Sequence, residues 1–264
     1  MKPFMKNFLL SVLMVTSVLF STSAIAVTGK VAGGMHDFSS TGLSSQMKDS
    51  NKDLGGQICV FCHTPHNAGQ TRLLWNKAGG QSNSAFRLYT ASSTLSSFTK
   101  ASKLSANSPS LFCLSCHDGK TAMNVLHAGG KGSLASSVGL TPAQGYPAGT
   151  TLAYGATPIY MVNPTWMFGF PEPMPNLGGD SGVDLTNDHP IGFSYTDAAG
   201  EKGPLSLNVV SALDSRIKLF GPAKNVECTS CHDPHVDNIS YPLQKPFLVM
   251  ENDSSKLCLS CHNK

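Results

Sequence analysis

The chain has 264 residues, of which 41% are hydrophobic and only 13% charged, where soluble domains average roughly 25% charged. A formal net charge of +3 is too weak a bias for an electrostatic nucleic-acid binder, which would show a clustered basic face. With 25 Gly and 16 Pro the composition is neither collagenous nor that of a disordered polymer.

The first 26 residues read as an address. Lys2 and Lys6 form a positive start, Phe8 to Phe20 is an almost unbroken apolar run, and Ser21 to Ala26 ends in a small-residue A-x-A site. That is the pattern of a cleaved secretory signal. The apolar run is short against the ~20 residues of a membrane span. No later stretch is long and apolar enough to cross a bilayer. The expectation is an exported chain, in the periplasm or at the cell surface, near neutral once Lys2 and Lys6 are removed.

An exported chain with eight cysteines suggests disulfides first. The spacing points elsewhere. Every cysteine belongs to one five-residue word: Cys59-Val60-Phe61-Cys62-His63, Cys113-Leu114-Ser115-Cys116-His117, Cys228-Thr229-Ser230-Cys231-His232 and Cys258-Leu259-Ser260-Cys261-His262. Cys-x-x-Cys-His is the signature of covalent haem c attachment. Two intervening residues let both thiols reach the two vinyl groups of one porphyrin edge, and the next residue offers its imidazole to the iron. Zinc cages and redox disulfides also use Cys-x-x-Cys pairs, but neither needs His after each second Cys. Four words predict four haems c, with His63, His117, His232 and His262 as proximal ligands.

The words alternate in kind. The first and third continue into Pro-His, as His63-Thr64-Pro65-His66 and His232-Asp233-Pro234-His235. The second and fourth share Cys-Leu-Ser-Cys-His. Upstream of the first and third stand Met35-His36-Asp37-Phe38 and Asp188-His189-Pro190-Ile191-Gly192-Phe193. This internal similarity points to a duplicated two-haem unit. Residues 27–130 form the first unit, 131–185 a Gly/Pro-rich wrapping segment, and 186–264 the second unit. Cys59 and Cys113 lie 54 residues apart, Cys228 and Cys258 only 30. The first unit therefore carries extra residues, among them Leu73-Leu74-Trp75-Asn76.

Four irons need four sixth ligands. The symmetric set His36, His66, His189 and His235 supplies them. His127 has no counterpart in the second half and reads as a loop or surface imidazole. Methionine ligation would raise the potential, but the methionines show no matching repeat. His63 and His66 are three residues apart and can share one face of a turn. Trans ligands approach an iron from opposite sides, so His66 is expected to complete a haem other than that of His63. The same holds for His235 and His232.

The expected fold is a multihaem cytochrome c: irregular loops and a few short α-helices wrapped around four stacked haems, with little β. Helical turns are expected at the words and around Ser206 to Leu219. Pro and Gly after residue 140 rule out long helices there. The aromatics Tyr154, Tyr160, Trp166, Phe168 and Phe170 read as packing against porphyrin faces, with a substrate or partner site as the alternative. Arg72, Arg87 and Arg216 are candidate partners for haem propionates.

The segments CVFCHTPHNA, CLSCHDG, NDHPIGF and CTSCHDPH together resemble the multihaem c-type cytochromes with doubled CxxCH motifs. Within these they resemble the tetrahaem extracellular filament cytochromes of the OmcE type. The resemblance implies bis-His haems in a continuous chain, export beyond the periplasm and head-to-tail homo-polymers. It also implies one histidine that ligates a haem of the neighbouring subunit, for which His36 is the candidate. The expected function is electron transfer to redox partner proteins or a terminal acceptor, without substrate chemistry. The alternatives are a monomeric periplasmic carrier and a multihaem reductase of small oxyanions, which would require an open haem.

Overall fold

The computed structural model describes residues 30–34, 36–39, 47–48, 56–64, 74–77, 80–121, 125–128, 134–137, 141–142, 177–178, 182–203, 205–237, 240, 244 and 246–263. The signal segment, His66, Arg72 and the aromatics between 154 and 170 lie outside them.

Each attachment word is one helical turn. In the first, Cys59–Phe61 is a 3₁₀ turn. The second word ends helix α2 (Ser110–His117). The third and fourth form α4 (Cys228–Cys231) and α5 (Lys256–Cys261). In the first, third and fourth words the His N–H donates to the carbonyl of the first Cys, at 2.8, 3.0 and 2.8 Å. That i→i−4 bond brings both thiols to one side of the turn. Two further helices are α1 (Ser97–Lys100) and α3 (Tyr195–Lys202). Ser96 Oγ caps α1 by accepting from Thr99 N, and Ser194 Oγ caps α3 by accepting from Asp197 N, as N-cap serines do. Gly203 ends α3 at φ +73°, a conformation that costs glycine no Cβ clash.

The strands among the described residues form four small two-stranded sheets. The antiparallel pairs are β1 (Met47–Lys48) with β5 (Thr141–Pro142), β3 (Val125–Ala128) with β4 (Leu134–Ser137), and β7 (Phe193–Ser194) with β8 (Asn225–Val226); β2 (Arg87–Leu88) runs parallel to β6 (Asp184–Leu185). Apolar burial is split among small clusters. One holds Phe86, Leu88, Leu104, Leu114 and Leu185. A second holds Phe193, Tyr195, Ala198 and Val226. A third holds Ile217, Leu248, Met250 and Leu257. Words two, three and four border these clusters through Leu114, Cys231 and Cys261.

One local expectation is corrected, that of His127. Between Ser206 and Leu219 the regular structure is a single short 3₁₀ turn, Val210–Ala212. Just before it, Asn208 is committed to the fourth word. Its N–H donates to Cys261 O at 2.9 Å, and its Nδ2 to Leu259 O and Ser260 O at 3.0 Å each. Three bonds to α5 hold the segment extended against a weak helical preference with β-branched Val209 and Val210. His127 stands on β3 and is half-buried, not in a loop. Its N–H donates to Asn76 O at 3.0 Å, fastening the hairpin to the strand beside the first word.

Candidate haem-attachment site

A narrow antiparallel bridge follows the turn at three of the words. It is centred on His63 with Trp75, His232 with Leu248, and His262 with Leu207. The second Cys carbonyl accepts from Asn76 N, Val249 N and Asn208 N, at 2.9 Å each time. The residue after His donates back: Thr64 N to Leu74 O at 2.9 Å, Asp233 N to Phe247 O at 2.8 Å and Asn263 N to Ser206 O at 3.1 Å. At the second word the clasp is Leu177 N to His117 O, 2.7 Å. The histidine of each word is thus held on both sides of its backbone or, at His117, by one amide from a turn. Leu74 and Phe247 occupy the same place in the first and third clasps, and both take positive φ, 52° and 57°. Such strain in side-chain-bearing residues costs about 1–3 kcal/mol and persists where surrounding contacts fix it.

The histidines meet in pairs from different parts of the chain. His63 and His235 have ring centres 6.3 Å apart, His36 and His117 6.1 Å, and His189 and His262 6.3 Å. Each pair joins one proximal histidine to one outside the attachment words. A metal–imidazole bond is about 2.0 Å and the ring centre lies about 1.1 Å behind the nitrogen, so two imidazoles on opposite sides of one iron have centres about 6.2 Å apart. The residues present therefore fit the group. His66, the candidate partner expected for His232, lies outside the described residues.

Hydrogen bonds set which ring nitrogen is left for metal. Nδ1 of His189 faces Pro190 O at 2.9 Å, Nδ1 of His232 faces Pro246 O at 2.8 Å, and Nδ1 of His235 faces Asp233 Oδ1 at 2.8 Å. Each contact places the proton on Nδ1 and leaves the Nε2 lone pair for iron. The Asp233 carboxylate also raises the His235 pKa, chiefly through that hydrogen bond. His36 differs: its Nδ1 is enclosed with no hydrogen-bond partner. Burial, helped by the neighbouring His117, lowers its pKa to about 4, so the ring is neutral at physiological pH. Phe247 stacks on it at 4.4 Å and 12°. Buried Asp37 fixes the loop below it, accepting from Gly33 N at 2.7 Å, Ser39 N at 3.1 Å and Ser39 Oγ at 2.6 Å.

None of the eight cysteines is paired in a disulfide. Burial pushes Cys62 up to about 12 and Cys231 up to about 11, with Cys116 and Cys261 as the next contributors. Cys113 and Cys228 are hydrogen-bonded to each other, which raises the first and lowers the second. Among the described residues no group of three or more His, Cys, Asp or Glu is gathered to hold a free metal ion. Arg87 and Arg216, candidates for propionates, pair with Asp184 and Asp214 at 2.5 and 2.7 Å.

The clasp residues Leu74 and Phe247, the ring wall Phe247 and the loop anchor Asp37 were not legible as parts of the site. Leu74-Trp75-Asn76 and Phe247-Leu248-Val249 share a backbone role and no residue type. Of the segment Leu73-Leu74-Trp75-Asn76, expected to belong to the first unit's extra residues, Leu74-Trp75-Asn76 is instead the counterpart of the third word's clasp.

Residues 221–264 match the family described as the doubled CXXCH motif. The match contains the third and fourth words and supports a multihaem c-type cytochrome, a haem-binding electron-transfer protein. No curated protein matches the chain. Among the described residues no helix is long and apolar enough to cross a membrane.

Proposed function

We propose that the protein is an exported tetrahaem c-type cytochrome in which every iron takes two imidazoles of the same chain, and that it carries electrons along the haem row. The observation that carries this reading is the trio of histidine pairs at 6.1–6.3 Å. The haem serving His63 takes His235, that of His117 takes His36, and that of His262 takes His189. His235 then completes the haem of the first word rather than of its own. By the same logic His66 completes the haem of His232, so that the first and third words exchange ligands.

Bound haem supplies one-electron exchange between ferric and ferrous iron. The chain's own groups do the rest. The thiols anchor each porphyrin edge, the clasps fix the proximal imidazoles, and the Nδ1 acceptors hold the ring tautomers. With eight of nine histidines committed as ligands, almost none remain for acid–base catalysis, which disfavours an oxyanion reductase.

A filament that exchanges one histidine between copies needs an iron left incomplete within each chain. The proposed pairs leave none, so the unit of function is the single chain. Its partners are donor and acceptor redox proteins or a terminal acceptor beyond the cytoplasm. The test is electron paramagnetic resonance of the oxidised holoprotein at low temperature, with haem counted by intact mass. Four haems and low-spin signals only are expected. A mass showing fewer than four haems, or a high-spin signal amounting to one iron or more per chain, overturns the reading.

A further inference from the structure

The junction between the two units is built around one buried carboxylate. Glu227 stands immediately before Cys228 and is 2% exposed. Its Oε2 accepts from Ser108 Oγ and from Ser110 Oγ, at 2.5 Å each. Both serines belong to the approach to the second word, and both are buried. Ser110 opens α2, and Ser108 lies just ahead of it.

The donor and acceptor roles are fixed by what else the hydroxyls touch. Ser110 Oγ accepts from Cys228 N at 2.9 Å, and Ser108 Oγ accepts from Ser110 N at 3.2 Å. Each hydroxyl proton is therefore directed at Glu227, whose Oε2 accepts from both. Glu227 N donates to Ser230 Oγ at 3.0 Å, which closes the turn of α4. At the same junction the Cys113 and Cys228 side chains lie close together.

The duplication makes the position informative. The first word stands at the equivalent place in the first unit, and there the residue before Cys59 is Ile58. Glu227 occurs where a first-kind word must meet the preceding second-kind word.

We propose that Glu227 is the positioning residue of the electron junction between the two units. It holds the second and third attachment helices in contact, and its buried negative charge favours the ferric state of the haems on those two words. The inference rests on haem being attached at both words. A buried charge close to a redox centre acts through a low effective dielectric and stabilises the oxidised, more positive form.

The test uses the full holoprotein, with haem located by peptide mass and midpoints followed by spectroelectrochemical titration. Glu227→Gln keeps the shape and removes the charge. At a fixed potential near the affected midpoints it should raise the reduced-to-oxidised ratio of one or two of the four haems about tenfold, equivalent to about 59 mV for a one-electron couple. Glu227→Asp, which keeps the charge, should restore most of the wild-type curve. Ser110→Ala removes the grip without removing the charge, and should weaken the coupled circular-dichroism signal in the Soret band. Unmoved midpoints in Glu227→Gln, with haem present on both words, overturn this inference alone. Absence of haem from the second or third word in the wild type overturns the tetrahaem reading and the inference together.

Discussion

The two halves that carry the attachment words use the same parts at very different spacing. In the second unit, ten residues separate the clasp at Leu248 from Cys258. In the first, 38 separate Trp75 from Cys113. Yet the turn, the bridge and even the positive φ at Leu74 and Phe247 are repeated. The turn and its clasp are thus insensitive to the length of chain between them. The extra residues of the first unit serve another purpose. They form β2, α1 and the buried positions Phe86, Leu88 and Leu104, and they face the second unit. The Ser97 N–H and Oγ donate to the Glu201 carboxylate on α3, at 2.9 and 2.5 Å to Oε2, which holds the Glu201 pKa down. Asn83 Nδ2 closes the segment on Leu104 O at 2.8 Å. The long unit carries the fastening, and the short one is what it fastens.

The largest effects should come from the axial ligands, and they test whether the two units use equal sets. His36→Ala, His189→Ala and His235→Ala should each turn one iron of four high-spin by electron paramagnetic resonance. His66→Ala should do the same, and His127→Ala should leave the spectrum unchanged. A high-spin iron from His127→Ala and none from His66→Ala would make the units unequal, with His127 as the partner of His232.

A smaller effect separates fastening from haem holding. Leu104 is 3% exposed in the cluster of the extra segment. Leu104→Ala should lower stability by about 2–5 kcal/mol, as a deleted core side chain does, measured by chemical denaturation, with the low-spin spectrum retained. Loss of the low-spin signal at full haem content would show that the segment holds haem after all. Phe247→Ala should cost less. Stacked aromatic rings contribute about 0.5–1.5 kcal/mol beyond their buried area. The more telling readout is a change in the low-spin g values of the haem that takes His36, with the other three unchanged. Least of all should follow from Arg87→Ala. Its ion pair with Asp184 is exposed, and such pairs add little; a clear fall in thermal midpoint would mean that β2–β6 is a stronger fastener than its exposure implies.

Some of this was legible in the residues and some was not. The attachment words were readable because covalent chemistry fixes both residue type and spacing, and one helical turn is all the backbone they require. The candidate distal histidines could be drawn up from the duplication. Their pairing could not, because His36 reaches His117 and His235 reaches His63 across long stretches of chain with no periodicity to mark the contact. The clasps escaped notice because a backbone bridge imposes no residue type: Trp75, Leu248 and Leu207 do one job. Asn208 was not marked out in the residues, because its bonds to α5 are tertiary. Glu227 was invisible for the same reason, since its partners lie more than a hundred residues away.

The central claim is that one chain completes all four irons. The most direct measurement is the spin state of strictly monomeric holoprotein, isolated by size exclusion at low concentration and followed by electron paramagnetic resonance on further dilution. Four low-spin haems are expected in the monomer, with no change on dilution. A high-spin iron that appears as copies separate would contradict it, because a ligand would then be coming from a neighbour.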